Sequence, residues 1–204
     1  MTEARLIHLV DDDEAIRHSA SFMLRHAGFR VKTYPDGVAF LAQVDAAEPG
    51  CILLDVQMPG MDGLEVQEEL KTRGVAMPVI VLTGHGDVGV AVRAMKAGAV
   101  DFVEKPYAKQ SLVDALTRAF ERLEARRRED VLADEARGLV ERLTPREKDV
   151  LLGLVDGQTN KAIAEALDIS PRTVEIHRAN LMEKMEAASL STVLRIAFAA
   201  GIGR

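Results

Sequence analysis

The sequence predicts an α/β protein: a five-stranded, parallel, doubly wound sheet in residues 1–120, a helical linker at 121–140, and an all-α domain of four helices at 141–204. Two observations predict this order. Before residue 120, five short strand-like runs alternate with stretches of helical periodicity, as in sheets that helices cover on both faces. After residue 140, helix start signals recur without any strand-like run, which indicates a helical domain.

Composition narrows the class of protein. Of the 204 residues, 48% are hydrophobic, which is enough for one or two cores. Cys51 is the single cysteine, so no internal disulfide forms and we expect a reducing, cytoplasmic setting. No apolar stretch is long enough to cross a bilayer, and the first residues are not typical of a signal peptide. The net charge of −6 argues against a protein that coats nucleic acid.

Predicted strands and helices alternate along the first 120 residues. We predict strands at 6–10, 29–34, 51–55, 78–83 and 100–104, and helices at 14–26, 38–46, 63–72, 88–97 and from 109 onward. The first helix should turn Phe22, Met23 and Leu24 toward the sheet. Right-handed crossovers place the carboxyl ends of all parallel strands at one edge, where open α/β sheets bind ligands.

The residues at these strand ends carry the chemistry. They supply three carboxylates, one hydroxyl and one ammonium: Asp11, Asp12, Asp55, Thr83 and Lys105. Taken alone, Asp55 is better explained as an acceptor of hydrogen bonds in the turn that follows. The cluster is not, because neighbouring carboxylates repel one another and need a cation. Oxygen ligands with room for water favour Mg²⁺. Beside it Asp55 can attack a phosphoryl group in line, while Lys105 and Thr83 bind the phosphoryl oxygens.

Residues 1–120 resemble the receiver domain of two-component response regulators, which has a flavodoxin-like fold. The resemblance is carried by Val10-Asp11-Asp12, the stretch from Leu54 to Gly63, Leu82-Thr83-Gly84, and Glu104-Lys105-Pro106. It implies phosphorylation of Asp55. It also implies a Mg²⁺ ion held by Asp12, Asp55 and the main-chain carbonyl of Gln57, with Asp11 acting through water. A cis peptide bond before Pro106 and a switch formed by Thr83 and Phe102 are further implications. Since Phe102 has no hydroxyl, its part in a switch rests on packing.

Three neighbouring residues have less specific interpretations. Asp13 and Glu14 follow the acid pair, and we interpret them as favourable charge at the amino terminus of the first helix. His85 lies two residues after Thr83. It is explained equally well as a residue that controls access of water to the phosphoryl group and as a solvated loop residue.

The linker is predicted to be helical. Apolar positions at helical spacing run from 112 to 123, and the charged stretch 124–130 continues without Pro or Gly. We predict an exposed helix that reaches about residue 136 and ends near Gly138. Arg126, Arg127 and Arg128 are interpreted either as DNA contacts or as a solvated helix face. A sustained heptad repeat is absent, so a coiled coil is not predicted.

Four helices are predicted in the last domain, at 145–156, 160–167, 171–184 and 190–200. Thr144-Pro145-Arg146-Glu147 is a capping box with proline at the first helical position, and Ser170-Pro171 starts the third helix in a similar way. A tight turn at Asp168 separates the second helix from the third. This is the pattern of a helix-turn-helix, whose second helix meets DNA.

The helix-turn-helix pattern assigns inner and outer positions. The inner set is predicted to be Ala162, Ile163, Ala164, Leu167, Ile169 and Val174. The set predicted to meet DNA is Asn160, Lys161, Arg172, Thr173, Glu175, Ile176, Arg178 and Ala179. Lys184 is expected to join its basic members on one face. Glu175 either reads a cytosine amino group or balances charge on its own helix.

Residues 141–200 resemble LuxR-type DNA-binding domains. The resemblance is carried by Leu143-Thr144-Pro145-Arg146-Glu147, Asn160-Lys161-Ala162-Ile163-Ala164 and the stretch from Ser170 to Arg178. The whole chain resembles response regulators of the FixJ type in the NarL/FixJ family. This implies a non-enzymatic transcriptional regulator that a sensor histidine kinase phosphorylates on Asp55. It also implies a homodimer that binds double-stranded promoter DNA, assembled through the helix from Val88 to Ala97, Phe102 and the helix after Lys109. RNA polymerase is a further candidate partner.

Alternatives stay open at this point. Phosphorylation either assembles a dimer, which doubles the phosphate contacts to DNA, or releases an inhibitory contact between the domains. In a rival function, the receiver is a phosphoryl relay or sink beside a C-terminal domain that does not bind DNA specifically. The neutral net charge of residues 141–204 keeps a helix-turn-helix without DNA binding under consideration. A third possibility is RNA binding by this domain, and the recognition-helix pattern argues against it.

Overall fold

The computed structural model describes residues 4–84 and 88–203. The chain divides into two compact units, Met1–Ala125 and Arg126–Arg204, which we treat separately. Among the described residues, no helix combines the length and the apolar character that spanning a membrane requires.

The first unit contains a five-stranded parallel sheet. Its strands are β1 (Leu6–Val10), β2 (Arg30–Tyr34), β3 (Cys51–Asp55), β4 (Val79–Thr83) and β5 (Asp101–Glu104), and its helices are α1 (Glu14–His26), α2 (Gly37–Leu41), α3 (Gly63–Thr72), α4 (Val88–Lys96) and the start of α5 (Lys109–Glu141). The strand order is β2-β1-β3-β4-β5, and every neighbouring pair is parallel. The predicted doubly wound sheet is confirmed.

The three central strands, β1, β3 and β4, are mainly apolar because both faces of the sheet are buried there. Along β3, Leu53 packs with residues of α1 and α5, whereas Ile52 and Leu54 pack with residues of α2, α3 and α4. All three side chains are fully buried, which stabilises the sheet by roughly 1.5–3 kcal/mol for each. The two apolar layers hold the strand ends rigidly at one edge.

Three predictions about the helices are wrong in detail. Phe22 is 69% exposed, because the helical period that points Leu24 inward turns Phe22 to the opposite side. The predicted helix at 38–46 is α2 followed by a 3-10 turn, Val44–Ala46, which places Val44 in the core. The α5 helix does not end near Gly138. It continues to Glu141 and closes where Leu143, bonded from its N–H to the Val140 carbonyl, enters the second core.

The second unit is helical. After the end of α5 it contains α6 (Pro145–Val155), α7 (Asn160–Leu167), α8 (Pro171–Lys184) and α9 (Leu190–Ala199). Each of the four begins at a Ser or Thr whose side chain accepts a hydrogen bond from the backbone N–H three residues on, as helix amino termini require. The α7 helix ends at Asp168, whose φ of +53° makes the tight turn into α8. The predicted helix-turn-helix is confirmed.

The packing between α7 and α8 follows the predicted inner set with one exception. Ile163, Ala164 and Val174 are buried, and Leu167 and Ile169 pack partly against the same core. Ala162 is exposed, because it lies almost opposite Ala164 on the helix.

Candidate functional site

The register of the sheet brings the predicted strand-end residues to one edge. Val10 of β1 lies opposite Leu54 of β3, so the next residues, Asp11 and Asp55, are level with each other. The chain direction across the sheet reverses between these two strands. In doubly wound sheets, that reversal is the position of the ligand crevice.

The next two strands extend this edge by one residue each. Asp55 lies opposite Leu82 in β4, and Thr83 lies opposite Glu104 in β5. The N–H of Lys105 donates to the Thr83 carbonyl over 2.8 Å, which joins the ends of β4 and β5. Thr83 is buried, and the Lys105–Pro106 bond is cis, as expected.

The centre of the site is an ammonium shared by two carboxylates. Lys105 Nζ lies 2.7 Å from Asp11 Oδ2 and 3.0 Å from Asp55 Oδ1. Asp11 is fully buried and Asp55 is 5% exposed, whereas Asp12 is exposed. One carboxylate oxygen from each of the three acids lies within 4.8 Å of the others. Three negative charges thus face one positive charge.

Main-chain contacts hold the two buried acids. The N–H of Asp13 donates to Asp11 Oδ1 over 2.9 Å, and Arg17 Nη1 donates to the Asp11 carbonyl over 2.7 Å. On the Asp55 side, Gly63 begins α3 against the strand end. A Cβ at this position would lie 2.2 Å from the Asp55 carbonyl oxygen, so only glycine allows this approach.

The charge imbalance appears in the protonation equilibria. Burial raises the pKa of Asp55, the hydrogen bond and charge of Lys105 oppose this, and the charges of Asp11 and Asp12 add to the rise. Burial lowers the pKa of Lys105, but its hydrogen bonds to Asp11 and Asp55 outweigh that effect and the net pKa is raised. An added cation would relieve the surplus negative charge. Carboxylate oxygens close together, one of them exposed, fit the preference of Mg²⁺ for hard ligands and retained water.

Other predicted residues near the site have the following places. Asp13 is the amino-terminal cap of α1, accepting the N–H of Ala15 over 2.8 Å, so its structural interpretation is confirmed. Gln57 is exposed in the turn after β3. His85 lies outside the described residues. Phe102, on the edge strand β5, is 39% exposed.

Sequence reasoning missed Tyr107. Its side chain is half-buried, and burial raises its pKa; the charge of Lys105 lowers the pKa, and the charges of Asp11 and Asp55 raise it. The phenol therefore lies within electrostatic reach of the site. The available signal was its position two residues after Lys105.

The outer face of the helix-turn-helix is only partly free. Lys161, Arg172, Glu175 and Ala179 are exposed, and Ile176 is 54% exposed. The remaining predicted DNA contacts are already within hydrogen-bond distance of other side chains of the protein. Thr173 Oγ1 lies 2.8 Å from Ser170 Oγ in the helix cap, and Arg178 Nη1 donates to Asn160 Oδ1 over 2.5 Å.

Lys184 does not join this face. Its Nζ lies 2.8 and 3.0 Å from the two carboxylate oxygens of Glu147 in α6. The reason is helical geometry: twelve residues after Arg172, the helix has turned by about 120° beyond complete turns, which directs Lys184 toward α6.

Known proteins resemble the chain along its whole length. Residues 7–117 match the response regulator receiver domain, and residues 141–197 match the bacterial regulatory proteins of the luxR family. The transcriptional regulatory protein FixJ of Bradyrhizobium diazoefficiens is 44% identical over 99% of this chain and 98% of its own length. FixJ of Rhizobium meliloti is 47% identical over 97% of both chains.

Solved structures agree with these matches. The response regulator StyR has a TM-score of 0.78 at 37% identity, over 96% of this chain and 99% of its own. Full-length FixJ from B. japonicum has a TM-score of 0.62 at 44% identity, over 98% of both chains. Since both family models and these relatives match nearly the whole chain, it belongs to the FixJ-type response regulators and is a phosphorylation-activated transcriptional regulator with a LuxR-type DNA-binding domain.

Proposed function

We propose that Asp55 is the phosphoacceptor and that a sensor histidine kinase is the donor. The observation that carries this proposal is the pair of buried acids, Asp55 and Asp11, that share the ammonium of Lys105 beside exposed Asp12. A carboxylate whose charge is incompletely balanced, at a ligand-binding edge, is suited to receive a charged group and its counter-ion. In this role the chain is a substrate of its kinase, and any enzymatic activity is limited to its own dephosphorylation.

The transfer forms a bond between an Asp55 oxygen and phosphorus and breaks the bond between phosphorus and the kinase's histidine nitrogen. Mg²⁺ held by Asp12, Asp55 and the Gln57 carbonyl, with Asp11 acting through water, would neutralise phosphoryl charge. Lys105 is near enough to bind a phosphoryl oxygen, since it already contacts Asp55. Thr83 donates its hydroxyl to another. The buried position of Asp55 limits access of water to the product.

The switch follows from the added charge. Phosphorylation replaces the single negative charge of the carboxylate with an acyl phosphate of about −1.5 to −2 charges at the end of β3 and pulls Lys105 and Thr83 toward it. Because the Lys105 N–H is bonded to the Thr83 carbonyl, a shift of either residue displaces the ends of β4 and β5 together. Phe102 lies on β5, three residues before Lys105, so this displacement reaches an exposed apolar side chain.

A second copy of the chain is the proposed occupant of that surface. Val88, Val92 and Met95 are exposed at helical spacing on α4, next to β5 and its exposed Phe102. The strip is apolar and contiguous along one helix face, which is typical of an interaction surface. Dimerisation brings two weakly binding DNA-binding units into one complex and raises their effective concentration on a two-fold site.

On DNA, α8 is the proposed recognition helix. Arg172 and Lys161 are placed for phosphates, and Glu175, Ile176 and Ala179 for base edges. Asn160, Thr173 and Arg178 belong to the same surface, although their side chains are also engaged within the protein.

The proposed domain boundaries are 1–120, 121–140 and 141–204. The chain is proposed to act in the cytoplasm, the reducing setting that its single cysteine favours.

The test compares wild type with Asp55→Asn, with and without a small phosphodonor such as acetyl phosphate and Mg²⁺. We expect phosphorylated wild type to gain mass as a covalent adduct, to dimerise, and to bind promoter DNA more tightly, and Asp55→Asn to do none of these. Asp45→Asn, at an exposed position, is the matched control and should behave as wild type. Equal dimerisation and DNA affinity of Asp55→Asn and wild type under the phosphodonor would refute the scheme.

Two further experiments on the same protein test the competing functions. Failure of a genomic selection to enrich any duplex would favour the phosphoryl relay or sink. Displacement of a bound duplex by RNA at equal concentration would favour RNA as the ligand.

A further inference from the structure

The second unit contains an unusual buried charge. Among its described residues, Glu147 is the only charged side chain in the core, 3% exposed. Both of its carboxylate oxygens accept from Lys184 Nζ, and Oε2 also accepts from the Thr144 N–H over 2.8 Å. The group therefore connects the first turn of α6 to the last residue of α8. A buried ion pair is weak evidence for added stability, so its position invites another explanation.

In the part of the chain that the structure describes, the α8 helix has few buried side chains and one other directional contact, the hydrogen bond from Arg178 to Asn160 of α7. Of its 14 residues, only Val174 and Leu181 are buried. Apolar contacts of this kind hold a helix against its neighbours, but they have no preferred direction. A pair of hydrogen-bonded charges does have one. The contact between Lys184 and Glu147 thus fixes the rotation of α8 about its own axis at the carboxyl end, as the contact between Arg178 and Asn160 does in the middle of the helix.

The same contact acts at the far end of a lever. Lys184 and Arg172 are twelve residues apart on α8, which is about 18 Å along the axis. A tilt of roughly 10° at Lys184 would displace the amino-terminal turn of α8 by about 3 Å. Hydrogen bonds to base edges do not tolerate a displacement of that size.

We propose that Glu147 is a positioning residue for DNA recognition: through Lys184 it holds α8 in the direction and rotation that direct Glu175, Ile176 and Ala179 to base edges. The proposal rests on the proposed DNA binding by α8. Glu147 itself does not contact DNA.

Electrostatics makes the proposal sharply testable. Removing a negative charge from a DNA-binding unit ordinarily leaves the affinity for DNA unchanged or raises it, because phosphate repulsion falls. A positioning role predicts the opposite sign at Glu147. Glutamine has the same shape and still serves the capping box, so Glu147→Gln removes the charge contact with Lys184 and leaves the start of α6 intact.

The experiment measures dissociation constants of the full chain for two DNA probes. One is a duplex that wild type enriches from a random pool, and the other is mixed-sequence genomic DNA. We expect Glu147→Gln to bind the selected duplex roughly tenfold more weakly, with little change on mixed DNA. The matched control is Glu186→Gln, which removes an exposed acid paired with Arg142 at the same end of α8. It should bind both probes as wild type does, or slightly more tightly.

Every result decides the proposal. If Glu147→Gln, folded by circular dichroism, binds the selected duplex as tightly as Glu186→Gln does, the positioning role is wrong. If Glu147→Gln does not fold, Lys184→Arg replaces it, since arginine keeps the charge and displaces the point of contact; unchanged affinity of that variant overturns the proposal. If wild type enriches no duplex, the proposed DNA binding fails first, and the positioning role falls with it.

Discussion

Each unit of the molecule contains a buried carboxylate in contact with a lysine, and the two pairs behave in opposite ways. In the first unit, Asp55 and Asp11 share Lys105, and burial with the neighbouring acids raises the pKa of Asp55. In the second unit, burial also raises the pKa of Glu147, but the hydrogen bonds from Lys184 and Thr144 prevail and the net pKa is lowered.

The difference lies in the number of partners. Glu147 has a whole ammonium and a backbone N–H, so its charge is fully compensated and serves structure. Asp55 has part of an ammonium and two repelling neighbours, so its charge is compensated only when another cation arrives. In the proposed scheme, the incomplete compensation of its charge, and not burial alone, makes Asp55 the reactive carboxylate of the two.

Removal of each lysine should produce the largest contrast. Lys184→Met leaves the Glu147 charge buried without its cation, and we expect the second unit to lose about 3 kcal/mol of unfolding free energy. Lys105→Met leaves Asp11 and Asp55 unpaired, but added Mg²⁺ should recover much of the loss in the first unit. Hydrogen exchange of amides in α6 and in β3 during urea titration separates the two units.

A double variant controls that prediction. Glu147→Gln combined with Lys184→Met contains neither charge, so it should be more stable than Lys184→Met alone. Equal destabilisation of the single and double variants would show that Lys184 contributes only its apolar stem.

Mg²⁺ should stabilise the first unit and leave the second unchanged. At about one hundred times its dissociation constant, a ligand of the folded state adds about 2.7 kcal/mol. Asp12→Asn should remove most of this gain at little cost of its own, because Asp12 is exposed. Thermal unfolding in the presence of Mg²⁺ and in the presence of a chelator measures this gain. An equal gain in Asp12→Asn and wild type would contradict the proposed ligand set.

The sequence was sufficient for the sheet and its edge because both depend on local pattern. The central strands are mainly apolar, and the predicted site residues lie at or just after the carboxyl ends of strands, so chain topology alone brings Asp55 and Lys105 together. The capping box from Thr144 to Glu147 and the tight turn at Asp168 likewise depend on neighbours in sequence.

What the sequence could not predict depends on partners that are distant in the chain. Lys184 was placed on the DNA face, whereas its partner Glu147 lies 37 residues earlier and is reached only when α6 packs on α8. Phe22 was assigned to the core because it is apolar, yet the helical phase set by Leu24 turns it outward. Gly138 was assigned as a helix end, but the neighbouring core contact of Leu143 extends α5 past it.

Replacing each carboxylate with its amide should change the stability of the two units in opposite directions. Without Mg²⁺, Asp55→Asn removes repulsion among three acids and should stabilise the first unit by about 1 kcal/mol. Glu147→Gln weakens charge-assisted hydrogen bonds and should destabilise the second unit by about 1 kcal/mol. Urea unfolding monitored separately in each unit provides the measurement. Destabilisation of both units would mean that Lys105 already compensates Asp55 fully.

The smallest expected effect is the pH dependence of these two differences. The pKa of Glu147 is lower in the folded state, so its stabilisation is complete above the ordinary glutamate pKa and disappears as the pH falls through the folded value. The pKa of Asp55 is higher in the folded state, so ionisation costs stability at neutral pH, and this cost declines as the pH falls through the raised value. In chelator, the stability gap between wild type and Glu147→Gln should therefore stay constant from pH 7 down to about 4 and narrow from above only below that pH. The gap for Asp55→Asn should close from below, because wild type starts as the less stable protein. If both stability differences change with the same sign as the pH falls, the charges of the two carboxylates are compensated alike. The difference between a reactive and a structural carboxylate would then come from exposure to the phosphodonor alone.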